Sequence, residues 1–243
     1  MVPFGRLYLF EMEEAKRAGL EAVKAALAVG HQRAEMNALG GFCHIYTQLG
    51  DWDASLDHAE RAMVLCHGLG ARAWEPVWLL WQSLAENGLG RRAEAHKLLT
   101  EAAEITAESA NAFNTGRVYG AWALVTDDPS ERKKMLKAGE AVLKKGTVSH
   151  NHFWFYQFAM KSTLETGEWD RVDGYAQELE DYTHSEPLPL TDCCIRWGRA
   201  LAAHGRGDRS DENHKAIERL RNQALEIGLE PALAIIEDAL ADG

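Results

Sequence analysis

Leu49-Gly50-Asp51-Trp52-Asp53-Ala54 separates two helix-like stretches, and related turn signals recur along the chain at nearly constant spacing. A Gly or an Asp marks each turn. Successive marks are 40, 37, 40 and 38 residues apart, at Gly50, Gly90, Asp127, Gly167 and Gly205. A fixed period in this range is typical of stacked helix-turn-helix units, each of which packs on its neighbours. The turn spacing therefore predicts a repeat architecture.

The intervals between the turns predict helices throughout. Ala, Leu, Glu, Arg and Lys dominate these intervals, and strand-like alternation of apolar and polar residues is missing. We therefore expect a single all-α domain over residues 1–243. Its expected units are a half unit at 11–29, helix pairs at 33–68, 74–109, 112–145, 151–183 and 190–227, and a terminal helix at 231–241.

Small residues recur seven positions before the turn markers. Four of the five residues at these positions are small, and the exception is Met160 in the fourth helix pair; the set is Cys43, Ser83, Gly120, Met160 and Gly198. Small side chains are expected where paired helices approach closely. Trp52 and Trp169 follow their turn markers by two residues, and we expect both to fill the space between helices.

Composition restricts the classes of partner. The formal net charge is −11, which disfavours general nucleic-acid binding because that affinity depends on neutralising phosphates with Lys and Arg. No apolar run approaches the roughly 18–20 residues of a membrane helix, and the N-terminus lacks a secretory signal pattern. The adjacent Cys193 and Cys194 suit a reduced helix interior better than a disulfide. We therefore expect a cytoplasmic protein with neither nucleic acid nor membrane as a partner.

Two turns carry a family resemblance. Leu49-Gly50-Asp51-Trp52-Asp53-Ala54 and Thr166-Gly167-Glu168-Trp169-Asp170 resemble the turn of the tetratricopeptide (TPR) family, where Gly is followed by Asp and an aromatic residue. Gly120 and Gly198, each beside an aromatic residue, match the first helix of that motif. The resemblance covers roughly residues 11–241, although the units are longer than the family's standard length. It implies a TPR-like right-handed superhelix of about five and a half antiparallel helical hairpins.

A narrower resemblance rests on the strings at 30–36, 149–156 and 179–183. They are similar to the C-terminal helical-repeat region of bacterial multidomain proteins that have an N-terminal class III adenylate/guanylate cyclase domain and a central ATPase-like domain. The resemblance implies the scaffolding or sensory tail of a bacterial signalling protein without its catalytic head. The first strong helix aligns with the second helices of later units, which is expected for a fragment or a shortened paralogue of a longer protein.

Catalytic and metal sites are not expected. The chain has no strands to carry the metal-binding carboxylates of a cyclase and no GxxxxGK[ST] phosphate-binding loop. We expect His150 to lie in a connection and Ser149 or Asn151 to cap the following helix. Because residues two apart on a helix point in different directions, His150 and His152 could share a metal only from an extended segment, and no third ligand is evident. We therefore predict a non-enzymatic protein with no cofactor and no metal.

The resemblance to TPR proteins implies that the first helix of each unit lines a concave face that binds an extended or helical peptide. Arg117, Lys161 and Arg199 would form a positive seam there, suited to an acidic peptide or a C-terminal carboxylate. The predicted peptide-binding residues are Asn37, His44, Asn114, Arg117, Trp154, Gln157, Lys161, Asp192 and Arg199. Val77, Leu80 and Leu84 complete the projected groove in the second unit.

Trp74, Trp78 and Trp81 form a helical stripe with two interpretations. The first is core packing between units, and the second is an aromatic ledge that anchors a partner. The favoured function is a protein-interaction scaffold or regulatory repeat region. One alternative is a small-ligand sensor with a pocket lined by Trp78, Trp81 and Trp154, which an apolar cavity would favour over an open polar groove. Another is a homodimer formed through an apolar terminal helix, whose candidates are Leu233, Ile235, Ile236 and Leu240.

Overall fold

The computed structural model describes residues 2–109 and 114–241, and this part of the chain contains thirteen α-helices and no strand. The helices are α1 Val2–Tyr8, α2 Met12–Ala28, α3 Gln32–Leu49, α4 Trp52–Gly68, α5 Glu75–Gly88, α6 Arg92–Ser109, α7 Thr115–Val125, α8 Pro129–Lys144, α9 Ser149–Glu165, α10 Trp169–Thr183, α11 Pro189–Gly205, α12 Asp211–Ile227 and α13 Glu230–Ala241. A short 3₁₀ turn at Arg72–Trp74 precedes α5. The expected all-α class is confirmed.

The predicted helix boundaries agree with the structure to within two residues, with one exception. The start of α7 was expected at 112, and residues 112 and 113 lie outside the described residues. Helix α1 was not predicted, because Pro3 and Gly5 break the local helical pattern. Its Leu7 is fully buried, so packing against the rest of the molecule supports this short segment.

The quoted turn has the local geometry that its residues favour. Gly50 ends α3 with a φ of 76°, a left-handed conformation that glycine adopts without a steric penalty. The Asp51 carboxylate then accepts a hydrogen bond from the Ala54 backbone N–H at 3.2 Å and caps α4. Gly167, before α10, also takes a positive φ of 71°. These caps reverse the chain and place consecutive helices side by side.

Consecutive helices form two layers. The inner layer consists of α3, α5, α7, α9 and α11, and each member packs on the next member of the layer. The outer layer consists of α4, α6, α8, α10 and α12, and each member packs on the two helices adjacent to it in the chain. This alternation is the arrangement expected of stacked helical pairs.

One interlock between units occurs twice. The Trp52 ring lies against Gly88 so closely that a Cβ on that glycine would come within 2.2 Å of it. The Trp169 ring lies against Gly205 in the same way, at 2.6 Å from such a Cβ. In both pairs the glycine follows the tryptophan by 36 residues. Each tryptophan therefore fills space between its own unit and the next, and only glycine leaves room for it.

The two ends of the chain pack on the inner layer. Helix α1 contacts α3 and α11, and α13 also contacts α3 and α11. Leu233 and Ile236 of α13 are buried, at 7% and 1% exposure. The sequence predicts an exposed apolar face on the terminal helix. This prediction is wrong for Leu233 and Ile236, whereas Ile235 is 39% exposed. Among residues 2–109 and 114–241, no helix combines the length and apolarity needed to cross a bilayer.

The Trp52–Gly88 interlock can be tested by adding one methyl group. We expect Gly88→Ala to lower the free energy of unfolding by about 1–3 kcal/mol, because overpacking against the ring outweighs the gain in helix propensity. Gly68→Ala is the matched control, since Gly68 also ends a helix and has nothing within 4 Å of its ideal Cβ. This control should gain about 0.5–1 kcal/mol. Urea unfolding followed by circular dichroism measures the free energy of unfolding of both variants. An equal gain in stability for Gly88→Ala and Gly68→Ala would contradict the interlock.

Candidate functional site

The predicted peptide-binding residues divide into buried and accessible sets. Asn37 and Asp192 are exposed, and Lys161 and Arg199 are partly buried. The buried set consists of His44, Asn114, Arg117, Trp154 and Gln157. The inner face is therefore not the open groove that was expected, because α1 and α13 pack over part of it. Peptide binding by these residues stays a prediction.

Aromatic side chains from three inner helices meet in the core. The His44 ring lies 3.9 Å from the Trp81 ring and 4.9 Å from the Trp154 ring, centroid to centroid. Trp78 and Trp81 are at most 2% exposed, which places them in core packing, whereas Trp74 is partly buried. Residues far apart in sequence also meet here, since the Gln157 side chain donates a hydrogen bond to Gln48 at 3.4 Å.

The three predicted cations have different surroundings. Arg117 is 5% exposed and donates a hydrogen bond to the Asn114 side chain. No carboxylate in the described ranges 2–109 and 114–241 forms an ion pair with it, and burial lowers its pKa to about 10. Arg199 instead pairs with Glu180 at 2.7 Å. A continuous solvent-facing positive seam is therefore absent from the described part of the chain.

A cavity of about 390 Å³ lies between the inner layer and α13, and we call it the inner cavity. This volume falls within the ~300–1,000 Å³ range of small-molecule sites. Its wall is largely apolar and includes Leu84 of α5, Leu201 of α11 and Ile235 of α13. The two interlocking tryptophans, Trp52 and Trp169, line it as well. The same packing that joins the repeats therefore also shapes the cavity.

Lys161 and Glu165, one turn apart on α9, supply opposite charges to the inner cavity. Loss of hydration is the main reason that the pKa of Lys161 is lowered and that of Glu165 is raised. Glu165 forms an ion pair with Arg92 at 3.8 Å. The Lys161 ammonium instead lies over the Trp197 ring, 6.0 Å from its centroid. The cavity is apolar with a few convergent polar groups.

A second, narrower cavity of about 50 Å³ shares part of this wall. Gln48, Lys161, Trp197 and Pro231 line both spaces. Trp197 is 6% exposed. The sequence indicates Trp197 only as the aromatic neighbour of Gly198, eight residues before the turn marker Gly205.

The structure contains no candidate metal cluster in the described ranges, where no three His, Cys, Asp or Glu side chains are placed to hold an ion. Helix α9 begins at Ser149, so His150 and His152 both lie within it, which corrects the expected connection at His150. Cys43 and Cys66 are buried free thiols. Comparison of the sequence with protein-family models and with curated proteins finds no match to either.

Buried His44 generates a prediction about acid stability. Burial, with the nearby positive charges of Arg117 and His150 as smaller causes, holds the pKa of His44 well below its usual value of about 6.5. Below pH 6.5 the His44 side chain binds a proton in the unfolded chain but not in the folded chain. The free energy of unfolding therefore falls as the pH falls. We expect acidification from pH 7 to 5 to cost the wild type about 2 kcal/mol more than His44→Phe.

The measurement is urea unfolding of both proteins at pH 7, 6 and 5. His214→Phe serves as the control for replacing a histidine with phenylalanine, because His214 is about half exposed on α12. His150, whose pKa is lowered to about 4, is retained in all three proteins. Parallel pH profiles for wild type and His44→Phe would contradict a neutral buried His44.

Proposed function

We propose that this chain is a TPR-like helical-repeat protein that binds a small, mainly apolar molecule in the inner cavity. The proposal is based on the inner cavity, an apolar space between the inner layer and α13 with a minority of polar groups on its wall. The proposed role is ligand sensing within a bacterial signalling protein, as the resemblance to the repeat region of cyclase-containing proteins implies. No catalytic step is part of the proposal.

Recurring contacts support the TPR-like assignment. The Ser55 hydroxyl donates a hydrogen bond to the Cys43 carbonyl at 3.3 Å, and the Ser83 hydroxyl donates to the Ala95 carbonyl at 2.9 Å. Cys43 and Ser83 occupy the small-residue position seven before a turn marker, and Ser55 and Ala95 occupy the position five after it. Two successive units therefore bring the same pair of positions into contact.

A peptide scaffold is the less favoured use of the same face. Helix α13 already lies along it, with Pro231, Ile235 and Ala239 on the cavity wall. A peptide that bound the inner layer there would have to displace this helix, at the expense of the burial of Leu233 and Ile236. A small molecule can enter the existing space without that rearrangement.

Filling the inner cavity tests the proposal. We expect the neutral fluorophore N-phenyl-1-naphthylamine to bind the wild type, and Ala239→Phe to weaken this binding by about tenfold or more, because a ring then occupies the space. Ala234→Phe is the matched control on the same helix, since Ala234 is exposed and outside the cavity wall. Fluorescence titration measures the affinities. Binding that is absent from the wild type, or equal in both variants, would overturn the proposal.

Self-association is a second candidate, favoured by the exposed face of α2. Leu20 and Leu27 are two turns apart on that helix and are 64% and 58% exposed. We expect Leu20→Glu/Leu27→Glu to convert a dimer to a monomer, because charges oppose apolar contact between two copies. Leu225→Glu, at a residue 48% exposed on α12, should leave the dimer intact. Size-exclusion chromatography with light scattering measures the mass, and a monomeric wild type would remove this candidate.

A further inference from the structure

The two charged side chains on the wall of the inner cavity differ in their ion pairing. Glu165 has Arg92 as a partner at 3.8 Å. Within the described ranges, no carboxylate lies within ion-pairing distance of the Lys161 ammonium, although Glu165 is only one turn away. Lys161 is partly buried and lines both cavities. A partly desolvated ammonium outside any ion pair is unfavourable, so an anion in contact with it would be stabilised.

Trp197 borders the same space as Lys161. Its Nε1–H is buried away from water and has no hydrogen-bond acceptor in the described part of the chain. The Lys161 ammonium lies over the face of the Trp197 ring, 6.0 Å from the ring centroid. The aromatic face therefore supports the ammonium, and Lys161 is the charged donor that a ligand in the cavity can reach.

We infer that the ligand of the inner cavity is an apolar molecule with one carboxylate, which Lys161 binds beside the Trp197 ring while the aromatic and aliphatic wall encloses the apolar body. This inference rests on the proposed ligand-binding function and specifies its chemistry. A single cation on the wall, with the Glu165 carboxylate one turn away, favours a monoanion over a phosphate dianion. Glu165 forms an ion pair with Arg92, which it shares with Asp127, whereas Lys161 forms none in the described ranges.

The apolar part of the ligand follows from the rest of the wall. Trp52, Leu84 and Trp169 line the inner cavity and offer no charge to a ligand. The ring faces and aliphatic side chains that make up most of the wall favour a hydrocarbon or aromatic body over a sugar or nucleotide. The expected ligand is therefore amphipathic, with its charge at one end.

The test compares two probes that differ only at the head group. Decanoate and decanol are each used to displace N-phenyl-1-naphthylamine from the full chain. We expect decanoate to bind the wild type at least tenfold more tightly than decanol, and Lys161→Met to abolish that difference while its decanol affinity stays within about twofold. Lys137→Met, which removes an exposed lysine on α8, is the matched control and should keep the wild-type preference.

The outcomes separate the inference from the function on which it rests. Decanoate preference in the wild type and its loss only in Lys161→Met support the inference. Equal affinities in the wild type, displacement by neither probe, or a preference that survives in Lys161→Met overturn it while fluorophore binding still supports an apolar site. If the fluorophore does not bind the wild type, both the proposed ligand-binding function and the inference about the carboxylate are overturned. If Lys161→Met does not fold by circular dichroism, Lys161→Gln replaces it.

Discussion

Burial of the aromatic side chains of the inner layer is the constraint on which the rest of the structure depends. Trp78, Trp81 and Trp154 are nearly inaccessible to water, and burial of side chains of this size contributes roughly 2–3 kcal/mol each to folding. Stacked helical pairs alone leave such an inner face exposed on one side. Helices α1 and α13 pack over it and connect with α3 and α11. The ends of the chain thus complete a core that the repeated units begin.

The interlocking tryptophans link this core to the cavity. Trp52 and Trp169 occupy equivalent places in their units, three units apart, and each packs against a glycine of the next unit. Their rings also line the inner cavity. The residues that set the spacing between units therefore also set the width of the space between the inner layer and α13. Stability and the proposed binding site share the same contacts, so changes in repeat packing are expected to alter both.

Two cations of the inner layer, Arg117 and Lys161, lie among apolar side chains, which distinguishes this layer from an ordinary core. Arg117 is buried with only an amide partner described, and Lys161 faces the cavity without a carboxylate. Such groups lower folding stability unless something else compensates for their lost hydration. A protein with a net charge of −11 has many carboxylates available, yet neither cation forms an ion pair in the described ranges. The uncompensated Lys161 is the reason to place an anionic group of the ligand in the cavity.

The helices and their pairing are predictable from the sequence, because caps such as Asp51 and glycines such as Gly50 act over a few residues and repeat with a regular period. The small residues Ser83 and Gly198 also indicate close helix contacts correctly. The burial of Arg117 and Gln157, the short helix α1 and the inner cavity instead arise from contacts between distant parts of the fold. These features depend on how far the stack curves and where the two chain ends come to lie, which follows from contacts such as Gln48–Gln157 between residues 109 positions apart. Local periodicity describes each unit, and it contains no information about contacts between units that are not neighbours.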